Sequence, residues 1–487
     1  MDKRPNILFL LSDDQGAWAM RCAGNADVRT PNLDRLSAGG VRFENFFCAS
    51  PVCSPARASI LTGTIPSCHG ILDWLSGGNL PSGIPGMEGM YGYENETKPI
   101  RYTEHLTAYT DLLHEAGYTC ALSGKWHMGD SLHRQHGFSK WYTLGRGGCD
   151  YYNADVAEEG RISLPKGYVT DLIAENALQN LEDLAQKKEP FYLSVHFTAP
   201  HSPWEEKDHP KEMLDLYRDC EFLATPDLPL HPRQVKTCPC GTGERRKELL
   251  RGYYAAITAM DRQIGRLLDR MEELGILEDT LIIFTSDNGM NLGQHGIWGK
   301  GNATFPQNMF DTSVKVPFIV SWKGKTAEGK VCRELFSHYD IFPTLQELLG
   351  LSGEVRQKLP GRSFADWLFA PEKETDRSIV ILDEYGPVRM IRDREWKLVL
   401  RYPYGPNELY CLENDPDEEN NLYDAPSCEE RILQMKKRLE GWFADYADPD
   451  LDGSRQPVAG SGQFDAVGKR AKGVDSFGPI PETVVCG

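Results

Sequence analysis

No apolar stretch in this 487-residue chain is long enough to span a bilayer, so the sequence predicts no membrane partner. Positive charge is also in short supply. The 53 Lys and Arg residues face 71 Asp and Glu, leaving a net charge of -18 that excludes a general nucleic-acid binder. Such a field repels an anionic substrate, which only a local cluster of Arg, Lys and His can then grip. The 13 cysteines form no compact framework and include no C-x₂-C pair. Cys238-Pro239-Cys240, with Cys220 upstream, has the wrong spacing for zinc and no partner pair, so it reads as loop cysteines. Scattered thiols suit a reducing cytoplasm. Met1 to Pro5 run straight into a short apolar strand, without a signal-type apolar segment or a small-residue cleavage site. The expectation is a cytoplasmic protein, with a removed leader left open. Internal repeats are absent.

What is present is the composition of a globular protein, 40% hydrophobic and 25% charged, at a length that implies two domains. Asn6 to Leu11 is continuously apolar, the pattern of a strand buried on both faces of a parallel sheet. Thr119 to Leu122, Phe191 to Phe197, Thr280 to Thr285 and Val316 to Trp322 repeat it. Helical periodicity lies between them, over Thr107 to Ala116, Thr170 to Gln186 and Lys247 to Leu274. Alternating strands and helices predict an open, mostly parallel α/β sheet with right-handed crossovers. Asp73 to Thr103, rich in Gly and Pro, reads as a long surface loop. Tyr142 to Pro165 and Trp204 to Cys240 read as further excursions.

Beyond about residue 370 the pattern changes, which sets the expected domains at 1–370 and 371–487. Ser378 to Tyr385, Val388 to Arg392, Trp396 to Arg401 and Tyr410 to Glu413 read as short antiparallel strands, with Asp393-Arg394 a hairpin turn. An acidic connector, Asp415 to Leu422, precedes a helix from Glu429 to Tyr446. The tail from Ala447 to Gly487 is expected to wrap or hang loose.

Four of the apolar strands end in polar clusters: Ser12-Asp13-Asp14, Ser123-Gly124-Lys125-Trp126-His127, Thr198-Ala199-Pro200-His201 and Ser286-Asp287-Asn288-Gly289. Open α/β sheets bind ligands beyond the carboxyl ends of their strands, so these clusters should meet at one rim. Asp13, Asp14, Asp287 and Asn288 are hard oxygen ligands that select Ca²⁺ or Mg²⁺ over Zn²⁺. Either pair alone reads as caps and turns; together they read as a cation site. Lys125, His127, His201 and Lys300 are candidate cations around an anion. Lys125 and His127 alternate along an extended segment and share a face only if the chain bends at Gly124 or Gly129. The glycines flanking Lys300 leave its direction open. Cys53 begins a stretch, Cys53-Ser54-Pro55-Ala56-Arg57, that suits a helix N-terminus, where free N–H groups and the dipole favour an anion. Arg57, one turn on, points its fork at the same place.

Cys-x-Pro-x-Arg followed by Ala58-Ser59-Ile60-Leu61-Thr62-Gly63 resembles the signature of the formylglycine sulfatases. The resemblance extends over the other motifs in order and over the C-terminal unit. It implies an alkaline-phosphatase-like α/β sandwich with a large mostly parallel sheet and a small C-terminal α+β subdomain carrying an antiparallel sheet. It implies that Cys53 is oxidised to formylglycine by a transiently bound maturase. Asp13, Asp14, Asp287, Asn288 and the modified residue 53 then hold Ca²⁺, with Mg²⁺ as the alternative. Arg57, Lys125 and Lys300 neutralise the sulfate oxygens, His201 or Lys300 protonates the leaving alcohol, and His127 takes a proton from the remaining hydroxyl. His295 is assigned a supporting place, while Ser54, Ala56 and Ser59 pack. Trp74, Tyr91, Tyr93, Trp126, Trp204 and Trp298 form either core or a sugar-stacking wall. The expected substrate is a small sulfated sugar from glycosaminoglycan or mucin breakdown. Two rival readings remain: a phosphonate or phosphodiester hydrolase, against which Asn288 weighs, and a sulfated-glycan binder in which Cys53 stays unmodified.

Overall fold

A computed structural model describes residues 4–90, 92–471 and 475–479. The strands in chain order begin with β1 (Asn6–Ser12), β2 (Val41–Phe47), β3 (Thr119–Gly124) and β4 (Phe138–Leu144). They continue with β5 (Val156–Glu158), β6 (Arg161–Ser163), β7 (Phe191–His196) and β8 (Thr280–Ser286). A two-residue hairpin of β9 (Asn291–Leu292) and β10 (Trp298–Gly299) precedes β11 (Phe318–Ser321) and β12 (Lys330–Ser337). Ten of these strands form one sheet in the order β12-β2-β11-β8-β1-β7-β3-β4-β5-β6. The central run β8-β1-β7-β3-β4 is parallel throughout, while β11 runs against both its neighbours.

Side-chain alternation splits β1 between two cores. Ile7, Phe9 and Leu11 face a cluster with Ile60, Leu61, Tyr109, Leu112 and Phe342. Leu8 and Leu10 face the other, with Ile173, Leu181, Tyr253 and Met260. Helices therefore cover both faces, and all seven residues of β1 and of β8 are buried. This is the alkaline-phosphatase-like sandwich. The expected helices form over Tyr109–Glu115, Val169–Ala185 and Gly243–Glu273. Strands β2, β4 and β12 are additions to the sequence reading. They mix buried with half-buried or exposed positions, so no continuous apolar run marks them.

The second sheet is antiparallel, with β13 (Ile379–Asp383), β14 (Val388–Arg392), β15 (Trp396–Arg401) and β16 (Glu408–Cys411) in that order. The last strand lies two residues earlier than the apolar pattern suggested. The Asp393 carboxylate builds the expected turn by accepting the Glu395 and Trp396 N–H groups at 3.1 and 2.8 Å. One face, with Ile379, Ile381 and Met390, joins the core of the large sheet. The other, with Val380, Leu398 and Leu409, packs on Met435 and Leu439 of the helix Glu429–Tyr446. Lys397 and Arg392 reach Asp311 at 3.0 and 2.5 Å, and the buried Glu418 of the acidic connector takes the Asp311 N–H at 2.6 Å. The tail then wraps back over the Asp73 loop; residues 472–474 and 480–487 of it lie outside the described residues. No described helix is long and apolar enough to cross a membrane.

Candidate active site

Because β8, β1, β7 and β3 are adjacent and parallel, their carboxyl ends share one rim. Backbone hydrogen bonds continue past the strands, from Asp287 N to Ser12 O at 3.2 Å, Asp13 N to Ala199 O at 3.1 Å and Lys125 N to His196 O at 2.9 Å. These continuations carry the four polar clusters to one place. The helix Cys53–Thr62 begins there with Cys53 as its first residue, and all ten of its residues are buried.

Cys53 Sγ lies 3.4 Å from Asp13 Oδ1 and 3.8 Å from Asp14 Oδ1. Lys300 Nζ donates to both Cys53 Sγ (2.7 Å) and Asp14 Oδ1 (2.6 Å). Gly299, at φ 118°, turns the chain so that the lysine points inward. Lys125 Nζ meets Asp13 Oδ2 at 2.5 Å. The Arg57 guanidinium holds Asp287 Oδ2 through Nε and Nη2, both at 2.9 Å, and the Lys125 carbonyl through Nη1 at 2.9 Å. His201 Nε2 stands 3.6 Å from Asp14 Oδ2, while its Nδ1 donates to the Ser202 carbonyl at 2.7 Å. Tyr151 steadies this histidine by donating to the His201 carbonyl at 2.8 Å.

Asp14 adopts φ 62°, a left-handed conformation unusual outside glycine. Three bonds hold it: its N–H donates to Asp287 Oδ1 (3.1 Å), its carbonyl accepts from Tyr253 (2.9 Å), and its Oδ1 accepts from Asn288 Nδ2 (2.8 Å). The segment Gly124 to Gly129 does bend, with φ of 113° at Gly124, 53° at His127 and 90° at Gly129. His127 is thereby buried; its Nε2 donates to the Leu75 carbonyl at 3.0 Å and its Nδ1 has no partner. The fit is close: a Cβ on Gly147 would stand 1.9 Å from the imidazole Nε2.

Electrostatics follow from burial. Burial, aided by Asp287, raises the Asp13 pKa above the usual carboxylate range. Burial also pushes Asp14 and Asp287 upward, but Lys300 and His201 hold the first below its ordinary value, and Arg57, Lys125 and Lys300 do so for the second. Burial and then Lys125 keep His127 well below the usual histidine value, so it is neutral. Burial and Asp13 push the Cys53 thiol far up, which disfavours its thiolate form.

The donor set fits a hard divalent cation. One ligand atom each from Asp13, Asp14, Cys53 and Asp287 lie within 4.8 Å of one another. With metal–oxygen distances of about 2.3–2.6 Å, ligands on opposite sides of a calcium ion stand about 5 Å apart. Asn288 Oδ1 adds a buried carbonyl oxygen with no partner, the kind of orphan an ion satisfies.

Several residues sit apart from this cluster. His295 stacks on Phe310, ring centres 3.8 Å apart. Trp126, Trp204 and Trp298 are fully buried core and Tyr93 is buried, so they form no sugar-stacking wall. Trp74 is half-buried, and Tyr91 lies outside the described residues. Ser54 and Ser59 do more than pack: Ser54 Oγ accepts the Leu75 N–H at 3.1 Å, and Ser59 Oγ meets His69 Nε2 at 3.2 Å. Tyr151 and Gly147 escaped the sequence reading, although both lie in the Tyr142 to Pro165 excursion it marked out.

Fold and rim together give an alkaline-phosphatase-like α/β sandwich whose strand ends gather three carboxylates and three basic side chains. The family described as Sulfatase matches residues 5–351, and the one described as N-sulphoglucosamine sulphohydrolase, C-terminal, matches residues 293–444. The chain belongs to the sulfatase family, enzymes that hydrolyse sulfuric esters. It is 27% identical to an N-acetylglucosamine-6-O-sulfatase of Bacteroides thetaiotaomicron, over 92% of this chain and 88% of the relative. It is 31% identical to a choline-sulfatase of Rhizobium meliloti, over 87% and 83%. Among solved structures, one in complex with its substrate D-glucosamine-2-N,6-O-disulfate superposes with a TM-score of 0.74 at 23% identity, covering 92% of this chain and 99% of that one.

Proposed function

We propose that the chain hydrolyses sulfate esters of small sugars, with residue 53 carried as formylglycine, installed by a maturase, and with Ca²⁺ as the bound cation. The formylglycine hydrate supplies a hydroxyl nucleophile for sulfur, and the cation supplies the positive centre that polarises it. Asp13, Asp14, Asp287 and Asn288 hold that cation. Arg57, Lys125 and Lys300 stabilise charge developing on the sulfate oxygens. Arg57 is well suited to this, since Asp287 and the Lys125 carbonyl fix its fork in advance. His201 offers Nε2 to the leaving alcohol, with Lys300 as the alternative donor, and His127 accepts a proton at Nδ1. The carrying observation is the convergence of three carboxylates and three permanent cations on residue 53, with Asn288 Oδ1 and His127 Nδ1 left unpartnered.

A sugar substrate is supported by the N-acetylglucosamine-6-O-sulfatase relative and by the long Asp73 loop beside the site; the choline-sulfatase relative supports a smaller alcohol. Turnover of 2-, 3-, 4- and 6-sulfated hexosamines and galactose, beside choline sulfate, aryl sulfate and aryl phosphodiester, tests the proposal. A sulfated sugar is expected to give the highest kcat/KM. Faster diester cleavage would overturn the sulfate reading, and turnover of choline or aryl sulfate alone would overturn the sugar.

A further inference from the structure

We infer that Gln463, in the C-terminal tail beyond both family matches, is a positioning residue for His127; the inference rests on the sulfatase reading above. Leu75 and Gln463 form a parallel β-bridge across 388 positions of sequence. Gln463 N donates to the Trp74 carbonyl at 2.7 Å, and Ser76 N donates to the Gln463 carbonyl at 2.9 Å. Both peptide groups flanking Leu75 are therefore committed to the tail. In an extended chain the N–H and C=O of one residue share an edge and successive residues alternate edges, so the N–H and C=O of Leu75 itself face the other way. That edge is the site. Leu75 N donates to Ser54 Oγ beside Cys53, and the Leu75 carbonyl accepts from His127 Nε2 at 3.0 Å.

The Gln463 side chain makes the bridge rigid. It is fully buried, its Oε1 accepts the Leu72 N–H at 2.8 Å, and its Nε2 donates to the Gly70 and Asp465 carbonyls, both at 3.0 Å. Gly462 permits the approach, because a Cβ there would lie 2.4 Å from Ser76 Oγ. A second clasp fastens the far end of the same loop, where Arg470 donates to the Tyr102 and Arg101 carbonyls and Asp465 pairs with Lys98 at 3.5 Å. His127 depends on this arrangement because its Nδ1 has no partner, which leaves the Leu75 carbonyl to set ring direction and tautomer. Gln463 thus acts on His127 through one backbone residue.

The test compares Gln463→Ala and Gln463→Met, in the native and His127→Ala backgrounds, on whichever sulfate ester the enzyme turns over. The expected kcat loss in the native background is about 10–100-fold, the range for a residue that orients a functional histidine, with KM within about twofold. In the His127→Ala background the same substitution changes kcat by less than about twofold, since its route is already cut. Equal losses in both backgrounds would overturn the inference and leave the tail a stabiliser only. Gln463→Met keeps the volume and carries the test if the alanine variant does not fold. ¹⁵N-histidine spectra read the same point without turnover. The native His127 gives the Nε2–H tautomer, Gln463→Met gives a mixture, and an unchanged tautomer would contradict the inference. If the native enzyme cleaves no sulfate ester, the functional reading falls while the tautomer measurement still decides this one.

Discussion

Two of the buried charge clusters among the described residues differ in what they leave unfinished. At the seam between the sheets, Asp311 is surrounded by Lys315, Arg392 and Lys397, and Glu418 closes the group by pairing with Lys397. At the rim of the large sheet, Asp13, Asp14 and Asp287 face Arg57, Lys125 and Lys300, yet Asn288 Oδ1 and His127 Nδ1 stay unpartnered. Both clusters bear the cost of taking ions out of water. The first returns it as a fixed geometry between two sheets. The second leaves Asn288 Oδ1 and His127 Nδ1 open, as the proposed cation and sulfate ester require.

That contrast can be broken by substitutions that separate activity from stability. Cys53→Ala is expected to lower turnover by ~10⁴-fold or more, as for loss of a nucleophile, while denaturant unfolding moves little. Asp311→Asn is expected to do the reverse. It strips Arg392 and Lys397 of a buried partner and costs about 3–5 kcal/mol in urea unfolding, with kcat of the folded fraction intact. A large kcat loss in that variant would erase the distinction between the clusters. Arg57→Ala is expected to reduce kcat by about 10²–10³-fold, the range for one donor to a developing oxyanion. Calcium at about a hundred times its Kd is expected to add about 2.7 kcal/mol to the native enzyme and to Asp311→Asn, but nothing to Asp287→Asn.

A pH dependence is expected from Asp73, at the foot of the tail clasp, where burial raises its pKa from 3.8 to about 7. The folded protein keeps that proton up to about pH 7, whereas the unfolded chain loses it near pH 4. Stability is therefore fully present below pH 4 as far as this group is concerned. It falls by about 1.4 kcal/mol per unit as pH rises toward 7. Asp73→Asn should flatten that part of the profile, read by unfolding at several pH values; an unchanged slope would count against the buried, protonated acid.

Much of the rim was legible because strands buried on both faces write themselves as unbroken apolar runs, and their polar ends stand out. The direction of Lys300 was not legible, since it depends on the φ of Gly299 and on Asp14 waiting opposite. Strands β2, β4 and β12 hid behind half-buried and exposed positions. The three buried tryptophans were ambiguous because one composition serves a core and a sugar wall alike. The tail was least legible of all, as Gln463 gains its meaning from a peptide 388 positions earlier. Local pattern reads what a residue's neighbours in sequence impose, and this bridge is imposed by none of them.

The most direct measurement is the mass of the peptide containing residue 53, taken from enzyme whose turnover of a sulfate ester has just been recorded. The account predicts a residue about 18 Da lighter than cysteine, in proportion to activity. A fully active preparation that carries the unaltered thiol would contradict it.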